Sequence, residues 1–306
     1  MFTNSCSLII PTRNRHKYVK KIFKQLKSNK IKFQEILVID SSDSKSAFFV
    51  KRICAKHFAQ YFHTTPSISY QRNLGLKKRN KNNKYVMFLD DDIFFLKKAF
   101  HSMNKMLFDY RNNHEVCGFG FNLQNKNYKP GLLDRIKKNR ICKFFNLYSV
   151  EAGKVMKSGW HTKIENLKNN QIVDWIYTAA VVYKNKLIKN NYFDNSLGVY
   201  SYLEDLDFCL NFKKKNLRLI INCSAKIKHP NVIERNDYKF GLLEILNRYY
   251  LVKKHSLCVP SFYLAAIIRS LLSIIEFFKG KFNFIYRFFG NICGILFCLF
   301  NYNKRK

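Results

Sequence analysis

Asp90, Asp91 and Asp92 follow the apolar run Tyr85–Leu89 in a chain that has 20 acidic residues against 55 Lys and Arg. Three carboxylates at the end of a buried strand repel one another and lose hydration, so they require a neutralising partner. A divalent cation such as Mg2+ or Mn2+, which prefers oxygen ligands including phosphate oxygens, is suited to that role. Strand alternation would put Asp90 and Asp92 on one side and Asp91 on the other, so that one could hold the ion while another meets a ribose hydroxyl. The plain alternative is a solvated acidic turn ahead of the next helix.

A second acidic focus is Glu204-Asp205, at the start of a helical stretch. A carboxylate there can take a proton from an attacking hydroxyl, and it equally suits a helix N-terminus. Asp207, further into the helix, is expected to be exposed. Asp40 and Asp43 follow the apolar run Ile36–Ile39, where a carboxylate can accept from a base N–H or a ribose hydroxyl; Asp43 can instead be an N-cap. Pro11, Thr12, Arg13 and Asn14 end the first apolar run. Arg72-Asn73 lies ahead of the aspartates, and an Arg there can hold a diphosphate or be a surface residue. His229 follows a later strand and can be a metal ligand, a phosphate contact or an ordinary histidine. No His pairs with Ser or Cys in a recognisable hydrolytic triad.

The elements that position these residues alternate. Strands are expected at Ser7–Ile10, Ile36–Ile39 and Tyr85–Leu89, and helices at His16–Lys27, Ala47–Phe58, Ser69–Arg79 and Leu96–Tyr110. That order predicts an α/β fold with a mostly parallel, Rossmann-like sheet flanked by helices. The polar clusters fall at the carboxyl ends of the strands, where such sheets bind ligands. Residues 122–171 form a basic, Asn- and Lys-rich insert with local helix at Leu132–Phe145, a candidate lid or binding loop. Order resumes with a strand region at Ile172–Tyr183, a helix at Glu204–Lys214, a strand at Leu217–Asn222 and a helix at Lys239–Lys254.

The tail changes character. Leu257–Phe278 and Phe282–Phe300 are apolar stretches near membrane-span length. Each has a polar or small stripe at helical spacing: Arg269, Ser273 and Glu276 in the first, Asn283, Arg287, Asn291 and Gly294 in the second. The stripes favour a pair of amphipathic helices in a membrane interface over spanning helices or soluble core helices. The terminal Asn303-Lys304-Arg305-Lys306 and the net charge of +35 suit an anionic surface. Nine scattered cysteines, with no zinc spacing, fit idle thiols in a reducing compartment; Cys209 and Cys223 are expected in the core. No signal peptide is recognisable ahead of the first strand. The expected location is therefore the cytoplasmic face of a membrane, peripheral or tail-anchored.

Taken in order, these pieces resemble the glycosyltransferase family 2 proteins, which have a GT-A fold. Leu8–Arg15 is similar to that family's opening strand and donor loop, and Glu35–Asp43 to its second strand. Arg72-Asn73-Leu74-Gly75 matches its RNxG segment and Tyr85–Asp92 the strand ending in its DxD motif. Tyr192–Leu197 followed by Glu204-Asp205-Leu206-Asp207 resembles its acceptor-side segment, and Asn247–Tyr250 with Lys254-His255 a later one. The resemblance covers residues 7–255, implying a catalytic domain at 1–255 and a membrane-associating tail at 256–306.

It further implies inverting transfer of a sugar from a nucleoside-diphosphate sugar donor to a glycan or lipid-linked acceptor, in cell-surface polysaccharide or glycolipid synthesis. Asp205 is then the base, with Glu204 beside it. Pro11, Thr12, Arg13, Asn14, Asp40, Arg72, Asn73, Asp90 and Asp91 face the donor, and Asp92, Asp90 and His229 hold Mg2+ or Mn2+. Two departures stand out: Ser41 follows Asp40 where a second aspartate is common, and Tyr177–Ala180 replaces a frequent glycine. A metal-dependent nucleotidyltransferase also uses carboxylate-bound metal, but no Gly-rich phosphate loop is present. A non-catalytic basic protein binding membrane or nucleic acid would not need acids at four strand or helix ends, so no nucleic-acid partner is expected.

Overall fold

The computed structural model describes residues 1–125, 140–229 and 237–300. Expectations for Pro130-Gly131, most of the local helix at Leu132–Phe145, Pro230 and the basic terminus lie outside these residues. The described chain gathers into two compact units, one of Met1–Lys126 with Ile164–Asn231, the other of Asn127–Lys163 with Val232–Lys306.

The first unit begins with β1 (Cys6–Thr12), buried along its whole length as a central strand must be. α1 (His16–Ser28) turns Val19, Ile22, Phe23 and Leu26 inwards at the predicted spacing. β2 (Glu35–Asp40) leads to α2 (Ser44–Lys56), where Asp43 is the N-cap and accepts from the Ser46 N–H at 2.9 Å. β3 (Gln60–His63) has no apolar run to announce it. Ser67 caps α3 (Ile68–Lys78), and β4 (Tyr85–Leu89) follows. Each helix carries the chain back over the sheet, so β3, β2, β1 and β4 lie side by side and parallel.

Beyond β4 the expected parallel order fails: the sheet is mixed. β5 (Phe94–Phe95), α4 (Ala99–Asp109), β6 (Val116–Leu123), β7 (Gln171–Val173), β8 (Ala180–Lys184) and β9 (Arg218–Lys228) complete it in the order β3-β2-β1-β4-β8-β6-β9-β5, with β7 also on β9. β8 runs antiparallel to both β4 and β6, and β5 and β7 run antiparallel to β9. The strand–helix alternation that enforces parallel crossovers stops near residue 110. β4 turns into β5 through the aspartates with no helix between, so β5 need not keep the direction of β4. The single strand region expected at Ile172–Tyr183 is two strands, separated by Asp174–Ala179, in which Trp175, Ile176 and Thr178 are buried. An apolar run marks burial and cannot distinguish a strand from a buried connection.

α6 (Glu204–Lys213) rests on an aromatic cluster in which Phe193 and Phe208 stack at 4.1 Å between ring centroids. Asp207, expected outside, is buried with it. A helix flanked by Leu206 and Phe208 on a crowded surface has no freely solvated side at that turn. Cys209 is in the core as expected, whereas Cys223 is half-buried.

The second unit contains a short α5 (Arg140–Phe144), then α7 (Tyr238–Lys254), α8 (Val259–Phe278) and α9 (Phe284–Phe300). Gly241 of α7 and Gly290 of α9 lie where the helices touch: a Cβ on either would run into the opposite helix's backbone. Small residues permit that approach, a device typical of helices in lipid. The polar stripe of α9 faces inward, with Arg287, Gly290, Asn291 and Gly294 buried. The opposite side exposes Tyr286, Phe289, Cys293, Leu296 and Phe300. α8 likewise buries Ser270 and Ser273 and exposes Ile267, Leu271, Ile275 and Phe278. Buried Glu244 of α7 receives Arg287, with Arg269 and Arg248 3.6 and 3.9 Å away. Burial alone would raise its carboxyl, but Arg287, Arg269 and Arg248 draw it down to about 2.

Candidate active site

All of the sequence-nominated site residues lie in the first unit. β1 delivers Thr12 and the loop after it, and β4 delivers the three aspartates alongside, because the two strands are hydrogen-bonded neighbours. The Thr12 hydroxyl donates to Asp91 at 2.6 Å, and Gln71 of α3 donates to the backbone carbonyls of Thr12 and Ile39, tying the ends of β1 and β2 together.

Strand alternation does not extend through the aspartates, because β4 ends at Leu89. Asp91 and Asp92 share one guanidinium: Arg15 lies 2.9 Å from each. Asp90 turns elsewhere and meets Arg72 at 3.2 Å. Burial pushes Asp91 up to about 7, against the opposing pull of Thr12 and Arg15. Burial also raises Asp90, only partly offset by Arg72. For Asp92, burial is outweighed by His229 and Arg15, leaving its carboxyl below the usual range. His229 lies 2.9 Å from Asp92 Oδ1; that hydrogen bond raises the imidazole pKa despite burial.

Arg72 is buried and links the two acidic foci. Its guanidinium reaches Glu204 at 2.6 Å, Asp205 at 3.5 Å and Asp90 at 3.2 Å, and stacks on Phe193. Burial disfavours the cation, but Asp90, Glu204 and Asp205 outweigh that and raise its pKa. Burial and the neighbouring Asp205 push Glu204 well above the carboxylate range. Thr178, fully buried between β7 and β8, donates its hydroxyl to Asp205 Oδ1.

Other nominated residues have internal duties. Asp40 is fully buried; one oxygen accepts from the Ser42 N–H and hydroxyl, the other from the Tyr61 hydroxyl at 3.1 Å. Asn73 holds the backbone of Phe193 through two hydrogen bonds of 2.8 Å. Asn14, at a positive φ of 55°, accepts from the Asp43 N–H and donates its own N–H to Ser42, stitching the loops after β1 and β2 together. Pro11 is buried in β1 and Arg13 is exposed. Thr178 and Arg15 are not among the nominated site residues, although Thr178 lies in the departure at Tyr177–Ala180 and Arg15 ends the segment similar to the donor loop.

Asp92 and His229 suit a hard divalent ion. His229 Nε2 is hydrogen-bonded to Asp92 Oδ1 at 2.9 Å, so an ion would have to take the place of that shared proton for both to ligate it. Among the described residues no three His, Cys, Asp or Glu side chains form a metal-binding group. Phosphate oxygens and water would have to complete such a shell, as is usual for Mg2+.

Residues 7–185, more than half of the chain, match the family described as Glycosyl transferase family 2. No protein of curated function matches the chain. Among solved structures, a mannosyltransferase from Pyrobaculum calidifontis in complex with GDP-Man and Mn2+ shares 12% identity, with a TM-score of 0.54 over 97% of this chain and 87% of its own. A mycobacterial protein shares 10% identity at a TM-score of 0.52, covering 83% and 75%. The glucosyl-3-phosphoglycerate synthase from Mycobacterium tuberculosis in complex with uridine-diphosphate shares 10% identity at a TM-score of 0.50, covering 83% and 80%. At these identities the likeness is one of fold.

Proposed function

Because the chain belongs to glycosyl transferase family 2, we propose that it transfers a sugar, with inversion, from a nucleoside-diphosphate sugar to a hydroxyl of a glycan or lipid-linked acceptor, and that Asp205 is the base. It is a glycosyltransferase; the base, the metal and the class of acceptor are the proposed parts. The observation that carries the assignment of the base is the position of Arg72, whose guanidinium joins the aspartates after β4 to Glu204-Asp205 at the start of α6.

In this reading the acceptor hydroxyl attacks the anomeric carbon and gives its proton to Asp205 while the bond to the diphosphate breaks. Thr178 and Arg72 fix the Asp205 carboxylate, and Glu204, pushed towards its neutral form, adds little repulsion beside it. Asp92 and His229, with Asp90 nearby, would hold Mg2+ or Mn2+, which would neutralise the departing diphosphate. The Mn2+ in the Pyrobaculum mannosyltransferase supports that assignment. The donor would lie along the ends of β1, β2 and β4, with the loop of Thr12, Arg13 and Asn14 beneath it.

α8 is long and apolar enough to cross a membrane, but the inward polar stripes and outward apolar sides of α8 and α9 favour a second placement. The two helices lie in the interface of a membrane, on its cytoplasmic face, with their exposed apolar sides in lipid. A lipid-linked acceptor of cell-surface polysaccharide or glycolipid synthesis would meet the enzyme there. A thermal-shift series with UDP, GDP and other nucleoside diphosphates, with and without Mn2+, tests the donor reading. Metal-dependent stabilisation by at least one of them is expected, and none by any would overturn it.

A further inference from the structure

Resting on the metal reading above, we propose that Arg15 is a built-in counter-cation that keeps Mg2+ or Mn2+ from binding tightly until the donor diphosphate is present. Arg15 follows the loop after β1 and lies 2.9 Å from both Asp91 and Asp92. Its side chain is 37% exposed, while both carboxylates are 4% exposed. The cation thus stands at the mouth of the acidic pair, with its outer side open to solvent and its guanidinium 4.9 Å from the Tyr18 ring centroid.

Charge arithmetic gives the consequence. In the state that can take a metal ion, with both carboxylates ionised and His229 neutral as a ligand must be, Asp91 and Asp92 with Arg15 carry formal charges that sum to −1, because Arg72 is spent on Asp90, Glu204 and Asp205. A lone dication would leave the site with an excess positive charge beside a guanidinium, which is costly at short range. A diphosphate supplies the missing negative charge to the ion and to the open side of Arg15 together. By reciprocity, the ion then strengthens nucleotide binding by the same factor as the nucleotide strengthens ion binding. Replacing Arg15 with a neutral residue brings the pair to −2, which a dication alone balances. Arg15 is therefore a positioning residue for ordered loading, and it keeps the donor site from filling with metal that carries no donor.

The test is Mn2+ binding to the full chain, read from the free-ion electron paramagnetic resonance signal, with and without UDP or GDP, for wild type, R15Q, R15K and D92N. Without nucleotide, R15Q is expected to bind Mn2+ on the order of tenfold more tightly than wild type. The gain in Mn2+ affinity on adding nucleotide should shrink by a similar factor. R15K keeps the charge but replaces the guanidinium, whose single Nη1 contacts both carboxylates, with a shorter and more strongly hydrated ammonium, so its affinity should fall between the two; it also serves as the readout if R15Q does not fold. Unchanged or weaker Mn2+ binding by R15Q and R15K, or an undiminished nucleotide gain, overturns the role of Arg15. D92N separates this failure from the other: if it binds Mn2+ like wild type, the metal reading itself falls.

Discussion

Thr178 donates its hydroxyl to Asp205, and the same carboxylate oxygen lies 3.5 Å from Arg72. A buried hydroxyl and a buried guanidinium thus hold one acid in one orientation. Asp205→Asn keeps the shape and removes the proton acceptor. Transfer rate should fall by on the order of 10²-fold or more, with donor binding near normal. Thr178→Val removes one hydrogen bond and should cost about tenfold in kcat, with little change in donor KM. Steady-state kinetics on both variants checks this, and wild-type turnover in Asp205→Asn would leave Asp205 as a helix-end charge only.

The second prediction concerns the ion. Donor diphosphate binding should require Mg2+ or Mn2+, and Asp92→Ala should abolish turnover. His229→Ala should weaken Mn2+ binding by about 10- to 100-fold, the scale on which metal-site residues act. Isothermal titration with Mn2+ and UDP or GDP measures the two binding effects, and a transfer assay measures turnover. Full activity in excess chelator would remove the metal from the mechanism.

The third concerns the apolar sides of α8 and α9. Burying one large apolar side chain contributes roughly 1.5–3 kcal/mol, and Leu271 and Phe289 are both about half exposed. The full chain should co-sediment with anionic vesicles, and high salt should weaken the association without abolishing it. Leu271→Asp with Phe289→Asp should leave the protein in the supernatant while its thermal transition stays near wild type. Equal sedimentation of both proteins would show that lipid does not cover these sides.

The fourth is a pH dependence. Glu244 has a depressed folded pKa of about 2 against an ordinary value of 4.5. Its contribution to stability is therefore complete above about pH 4.5 and is lost as pH falls towards 2, on the order of 3 kcal/mol. Acid unfolding followed by circular dichroism should show this loss, and Glu244→Gln should be less stable near neutrality yet flatter across that window. A wild-type profile no steeper than the variant's would count against the buried charge cluster.

Much of the site was legible because strand ends are legible. Apolar runs stopping at Thr12, Asp40 and Asp90 placed three polar clusters on one edge, and β1, β2 and β4 are indeed neighbours. What sequence could not supply was direction and partnership. The antiparallel course of β8 depends on pairing between residues 85–89 and 180–184, which no local pattern records. The residue type of Asp40 suits a ligand contact, but no local pattern announces that Ser42 and Tyr61 both donate to it in the fold. The polar stripes of the tail were visible at helical spacing, but spacing does not say which side faces the protein. Asp207 failed for a related reason: an acid in a helix is usually outside, and here aromatic packing placed it inside.

Asp90, Asp91, Asp92, Glu204 and Asp205 are five of the 20 acids in a chain of net charge +35. They form a negative pit in a positive field. The two act at different ranges: the exterior draws anions from a distance, within the reach that salt permits, while the acids hold Arg15, Arg72 and His229 in short contacts. A polyanion coating the exterior would therefore compete with the donor without entering the pit. Salt that screens the exterior would slow donor capture while leaving the short contacts of Arg72 and Arg15 largely intact. The protein's affinity for nucleotide and its rate of finding nucleotide are thus set by separate sets of charges and can be altered independently.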